Sequence, residues 1–508
     1  MSFCSGDKQG LTSRVLGQQF AGGLNYARIT RNGGHMTDYH MLINGQPVSA
    51  DESFDVLNPA TEEVIASVPK ATSGHLDDAV AAAKAAQPAW AALSMDDRRA
   101  IILKIADRIE ENLPELGALL SSEQGKPMEG FAGLGAMFEM GGCLAWIRYT
   151  ASLDLPVEVI QDNDEARIEV HRKPVGVVGS ITPWNYPLLI TCWHIIPGLL
   201  AGCTVVAKPS EYTPLTVLKA MHLINDLLPP GVLNVVTGSG DIGAGISAHP
   251  GIDKIVFTGS TATGKRIMES ASGNLKRLTL ELGGNDAAIV LPDTNIEEAA
   301  GKIFATAMIN NGQTCAALKR LYVHEDIYDE MCEALAGIAA SVSTGPASES
   351  PDFGPIQNKM QFDKVCALAE AAKADGATFM TGGSPLDRPG YFFPVTIVKD
   401  IPEESRLVQE EPFGPILPII KFSDVEDALQ RANAVSVGLG GSVWSSDLEK
   451  AQALASRMEC GTAWVNNHAM IQPDAPFGGV KQSGVGVEFG RYGLVEYTNI
   501  QTMQIAKG

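Results

Sequence analysis

Cys315 follows Asn310-Asn311-Gly312-Gln313-Thr314 and precedes Ala316-Ala317. A cysteine that only fills a core sits among larger apolar side chains, and a zinc ligand needs a second cysteine or histidine close by. Neither is found in this stretch. Gly312, Thr314 and Ala316 leave room around the sulfur, and a helix following it would lower the thiol pKa, so these residues suit a nucleophile. The other cysteines, at 4, 143, 192, 203, 332, 366 and 460, show no Cys-x-x-Cys spacing. They read as core residues of a protein in a reducing compartment, the cytoplasm, with neither a disulfide framework nor a zinc cage. Two further residues have candidate chemistry. Glu281 closes "LTLEL" just before Gly283-Gly284, where it is either a strand-end charge or a base, and Asn185 sits in "PWNYP", where by itself it reads as a turn residue.

Elements must hold these groups in place. "HMLINGQPV" reads as a strand pattern, Ser73 as the cap of the helix "HLDDAVAAAKAAQPAW", and "MDDRRAIILKIADRIEENL" as a helix stopping near Pro114. Residues 166–183 alternate apolar and polar as a strand pair does. Strands then alternate with helices: "GCTVVAKPS" before a helix from about Thr213, "LNVVTG" before one near Gly243, "KIVFTGS" before one near Thr263. That order predicts an α/β fold with a parallel, doubly wound sheet. A second series runs from "NDAAIVL" to "GTAWVNN", and "LVEYTNIQTMQIAKG" reads as an exposed strand whose free edge invites pairing with another subunit.

Two glycine loops compete for a dinucleotide phosphate. Gly238-Ser239-Gly240-Asp241-Ile242-Gly243 matches G-x-G-x-x-G, while Gly259 and Gly264 bracket Ser260 and Thr261 at a helix start. The pattern by itself does not choose between them.

The 508 residues suggest about three domains, and a formal charge of −21 argues against nucleic acid and against an anionic membrane surface. The longest apolar stretch, residues 188–207, contains a histidine, a proline and two glycines, and reads as helix, turn and strand rather than a membrane span. The first 35 residues have one acid against four basic residues, as a transit peptide would. We favour translation from Met36, making residues 1–35 a non-native or disordered extension; a native N-terminal peptide beginning at Met1 or Ser2 would overturn this.

In order, "PWNYP", "KPSE", "FTGSTATG", "LELGGND", "NNGQTC", "EEPFGP" and "PFGGVKQSG" make the chain from about residue 40 onward resemble the aldehyde dehydrogenase superfamily, of the hydrolytic, non-acylating type. The resemblance implies a Rossmann-type cofactor domain (36–151 and 175–283), an α/β catalytic domain (284–483) and a small β oligomerisation arm (152–174 and 484–508), in a homodimer or homotetramer. It places the cofactor phosphates beside Gly259, Ser260 and Gly264, leaving Gly238–Gly243 an ordinary turn. It makes Cys315 the nucleophile, Glu281 the general base and Asn185 an oxyanion donor together with the Cys315 N–H. Lys208 and Glu211 match positions on the adenosine ribose, and a carboxylate there favours NAD over NADP. Trp184, Gly283, Glu411 and Phe413 complete the implied cofactor set.

Matching positions wall a substrate tunnel with Tyr186, Ile190, Trp193, Ile309, Thr314, Ile471 and Phe477. No arginine there clamps a second carboxylate, which suits an apolar aliphatic or aromatic aldehyde oxidised to its acid through a Cys315 thiohemiacetal and thioester. The family often has phenylalanine in place of Ile309 and Ile471, and lysine where Asn285-Asp286 stands. Three other readings compete with this one. A coenzyme A-acylating relative generally lacks the base that Glu281 matches. A scaffold on the same fold has no use for Cys315, Glu281 and Asn185 together. A redox sensor needs a resolving cysteine, for which Cys332 is nearest in sequence.

Overall fold

The computed structural model describes residues 39–508, so the reading of residues 1–35 and of Cys4 lies outside it. The first sheet has eight strands in the order Gln46–Val48, Met41–Ile43, Leu233–Val235, Thr204–Lys208, Val177–Ile181, Lys254–Thr258, Arg277–Glu281 and Gly484–Val485. The five from Leu233–Val235 to Arg277–Glu281 run parallel. Four of them are buried throughout, as a sheet covered on both faces requires. Chain order reverses between Val177–Ile181 and Lys254–Thr258, the topological switch point where open α/β sheets bind ligands at their carboxyl ends.

The second sheet has seven strands in the order Thr378–Phe379, Thr396–Lys399, Ile416–Phe422, Arg320–His324, Ala287–Val290, Gly440–Trp444 and Thr462–Val465. Only the first pairing is antiparallel. A three-stranded antiparallel sheet orders Thr498–Ala506, Ala166–Pro174 and Glu158–Asp162. Thr498–Ala506 lies at its edge and exposes Ile500, Met503 and Ile505. Gly484–Val485 lies in the first sheet rather than in this arm.

Several local expectations are corrected. The cap of helix Ser73–Ala92 is Thr72, whose hydroxyl accepts from His75 N–H. Helix Met95–Glu110 ends before Pro114, which instead opens the following helix, Leu113–Gln124, where its missing N–H costs nothing. Ala166–Pro174 and Val177–Ile181 are both strands, but they join different sheets instead of pairing. The stretch 188–207 is, as expected, a helix, a turn and a strand: Pro187–Ala201, a left-handed turn at Gly202 and Thr204–Lys208. Among the described residues no helix is long and apolar enough to cross a membrane.

Candidate active site

Helix Ile296–Met308 delivers the cysteine loop. Asn310, Asn311 and Gly312 take left-handed φ values of 52°, 58° and 71° in succession, and Gly312 N–H caps the helix by donating to the Met308 and Ile309 carbonyls. Two asparagines and a glycine are the residues that tolerate this conformation. A Cβ on Gly312 would lie 2.1 Å from the Gly414 carbonyl oxygen, so only glycine lets the loop close on its neighbour. After Cys315 comes a turn, not the expected helix; the chain runs straight into strand Arg320–His324. The segment after Cys315 therefore adds no helix dipole at the thiol. Burial pushes it up to about 12, Lys319 opposes that shift, and Glu281, Glu411 and Asp286 add to it.

Asn185 hangs from the carboxyl end of Val177–Ile181, and its Nδ2 donates to the Gln313 carbonyl at 3.0 Å, two residues from Cys315. The Asn185 carbonyl accepts from Asn310 Nδ2 and from Lys126 Nζ, both at 2.9 Å. Lys126 is buried against Glu139 at 2.7 Å. Glu139 Oε1 in turn accepts from the Leu188 and Leu189 N–H groups at the start of helix Pro187–Ala201. Sequence reading missed Lys126 and Glu139, because nothing local marks a pair that acts on a residue some 50 positions away. The Cys315 N–H makes no hydrogen bond to another described residue, so it is available to an oxyanion.

Glu281 ends strand Arg277–Glu281. It is buried and neither carboxylate oxygen has a partner. Burial first, then the negative charge of Glu488, raises its pKa well above the usual carboxylate range. Glu488 also approaches His194 at 3.2 Å, inside the protein. Glu488 is a third missed residue: "VEFG" gives no sign that it lies near Glu281.

Glu411 Oε1 accepts from the Gly284 N–H at 3.2 Å and pairs with Lys319 Nζ at 3.1 Å. A Cβ on Gly283 would stand 2.6 Å from Glu411 Oε2, so the glycine clears the way for this carboxylate. Phe413 meets the Trp184 ring edge-on, with centroids 5.4 Å apart. Lys208 ends strand Thr204–Lys208, is buried, and lies 3.7 Å from Glu211. Ser260 caps helix Thr261–Ala271, and Gly259 N–H donates to the Glu281 carbonyl. Both glycine loops thus open helices, and the missing Cβ of Gly243 faces the Lys208 side chain at 3.7 Å.

Trp193, Ile471 and Phe477 pack into one apolar cluster with Cys315, joined by Trp146, Leu439, Trp464 and Phe489. Trp146 and Phe489 are further residues that sequence reading missed; their rings meet Trp193 at 5.4 and 4.7 Å. The Tyr186 hydroxyl meets Thr314 Oγ1 at 3.1 Å, while Ile190 is buried with Tyr186 in the core around the same helix. Ile309 lines a neighbouring pocket with Lys126, Phe131 and Phe353. Cys332 belongs to a different core cluster, with Phe304 and Leu335, so the structure does not join it to Cys315. Cys143, Cys192 and Cys203 are buried as expected, whereas Cys366 and Cys460 are only half-buried.

A doubly wound sheet that carries an amide donor, Asn185, and a partnerless carboxylate, Glu281, at its carboxyl edge close to the Cys315 thiol has the groups that a covalent α/β catalyst uses. Comparison with known proteins makes this specific: residues 47–503 match the aldehyde dehydrogenase family, and the chain belongs to it. It is 38% identical over 473 residues to aldehyde dehydrogenase LUC3 of a Fusarium species, covering 93% of this chain and 99% of that one. Rat retinaldehyde dehydrogenase 3 is 40% identical over 478 residues, covering 92% and 91%. Among solved structures, the NAD+ complex of an aldehyde dehydrogenase from Bacillus cereus superposes with a TM-score of 0.90 at 37% identity, covering 93% and 97%.

Proposed function

We propose that this NAD-dependent aldehyde dehydrogenase oxidises an apolar aliphatic or aromatic aldehyde to the free acid through covalent intermediates on Cys315. The observation that carries the reading is the convergence of three groups: Cys315, the Asn185 amide tied to its loop, and a buried Glu281 with two unused oxygens. The groups at the switch point fit a dinucleotide. Glu411 is held beside Gly283 by Lys319, Ser260 stands exposed at a helix start, and Lys208 and Glu211 offer a donor and an acceptor to a ribose. Glu211 would repel a 2′-phosphate, which favours NAD over NADP. Bound NAD supplies the acceptor for the hydride that the aldehyde carbon gives up.

Cys315 Sγ adds to the carbonyl carbon once its proton is removed, and Glu281, with its raised pKa, is a base strong enough to help take it. Asn185 Nδ2 and the Cys315 N–H donate to the alkoxide of the thiohemiacetal, a kind of contact worth ~3 kcal/mol per donor in the barrier. Collapse leaves a thioester. Glu281 then deprotonates the water that hydrolyses it and returns the thiol. The apolar wall of Trp193, Phe477, Phe489 and Trp146 supports an apolar substrate.

The test is NADH formation over short and long aliphatic aldehydes, benzaldehydes and succinic semialdehyde, with Cys315→Ala as blank and with or without coenzyme A. Turnover of apolar aldehydes to free acid, unaffected by coenzyme A, is expected. A coenzyme A requirement would favour the acylating reading, and no turnover by a folded, NAD-binding protein would sink the proposal.

A further inference from the structure

We propose that Lys319 is a positioning residue that couples the Glu411 carboxylate to the nucleophile, steadying Cys315 as a thiolate and aiming Glu411 at the cofactor groove. This rests on the reading of Cys315 as the nucleophile. Lys319 is 2% exposed, and a lysine is rarely so buried unless its charge is used. Its Nζ donates to the carbonyl of Cys315 itself, pairs with Glu411 Oε1 at 3.1 Å, and stands 6.0 Å over the Phe413 ring. One ammonium therefore touches the cysteine loop, the carboxylate beside Gly283 and the aromatic face next to Trp184.

The charge balance around the sulfur gives this contact its purpose. Glu281, Glu411 and Asp286 all disfavour the thiolate, with Glu488 behind Glu281, and the turn after Cys315 provides no helix dipole. Among the described residues Lys319 is the cation that acts the other way. Asp286 adds to the need for it: its carboxylate is buried with neither oxygen hydrogen-bonded, His468 Nε2 lying 3.6 Å from Oδ2, and its backbone carbonyl accepts from the N–H groups of Lys319 and Arg320 at 3.0 Å. The negative charge and the compensating cation are thus bound to one another through the backbone. A ligand hydroxyl that engages Glu411 competes with Lys319 for the same oxygen, leaving the ammonium freer to favour the thiolate.

Iodoacetamide alkylation of Cys315, followed by peptide mapping against pH without aldehyde, tests this directly. In Lys319→Met the alkylation midpoint should rise by about one unit, a ~10-fold slower reaction at fixed pH below it, and the Kd for NAD should rise several-fold. Lys319→Arg, which keeps the charge, should restore the midpoint. Glu411→Gln, which removes a negative charge but keeps the shape, should lower it. A Lys319→Met profile that overlays the wild type overturns the coupling. Should Lys319→Met fail to fold, Glu411→Gln decides alone: an unmoved midpoint overturns it too. Wild-type Cys315 reacting no faster than the buried cysteines would instead sink the nucleophile reading beneath it.

Discussion

Two carboxylates share the interior next to Cys315, and burial first, then their mutual repulsion, sets the pH at which Glu281 can work as the proposed base. Glu281 must be ionised to activate water, so activity falls as pH drops through its raised pKa. Glu488→Gln removes the neighbouring charge, lowers that pKa and should extend kcat to more acidic pH; an unmoved acid limb would show that Glu488 exerts no such influence. Glu281→Gln should slow acylation, because Glu281 helps take the thiol proton, and slow deacylation far more. The expected trace is a burst of NADH near one equivalent per site, then turnover slowed ~10²–10⁴-fold, read by stopped flow. Asn185→Ala should lower kcat/KM by ~10²–10³ without a new pH dependence. Cys315, Glu281 and Asn185 were legible as candidates because each sits in a fixed local motif. Lys126, Glu139, Lys319, Glu488 and Trp146 were not, because each acts through contacts that only the folded chain creates.

At the scale of single elements, the alternation of buried strand and helix predicted both parallel sheets, yet it misjudged how some segments join. The two strands of 166–183 differ in burial rather than in alternation, partly exposed in Ala166–Pro174 and fully buried in Val177–Ile181, which is why they separate into different sheets. The absent helix after Cys315 has a similar cause. Ala316 to Arg320 have good helical residues, but the N–H groups of Lys319 and Arg320 are claimed by the Asp286 carbonyl, just ahead of the adjacent strand Ala287–Val290. Helix starts provide a testable case. Glu123 accepts from the Leu215 and Thr216 N–H groups, capping Leu215–Ile224 from another helix, and burial raises its pKa to about 7. A carboxyl with a folded pKa above its unfolded value holds its proton longer in the folded state. Stability should therefore decline as pH rises from about 4.5 to 7, by up to ~3 kcal/mol from this group. Glu123→Gln should cost ~1–2 kcal/mol at low pH through a poorer cap and should flatten that decline, as urea unfolding at several pH values would reveal.

The whole molecule presents one edge designed for company. Ile500, Met503 and Ile505 are exposed on a strand whose outer side has no partner among the described residues, and Val159 and Ile160 are exposed on the opposite strand of the same sheet. We expect this arm to pair between subunits. Met503→Lys with Ile505→Lys should shift the sedimentation pattern toward monomer while circular dichroism stays the same; an unchanged oligomer would place the contact elsewhere. The end of the chain has a second role. Gly484 pairs with Glu281, the Leu282 N–H donates to the Ser483 carbonyl, and Glu488 supplies the charge that tunes the base. Residues 483–488 thus complete the surroundings of Glu281 from far along the chain. Folding has to bring these distant stretches together before the proposed base has its tuned surroundings, so a partly folded chain holds the cysteine without its helper and should stay slow toward aldehydes.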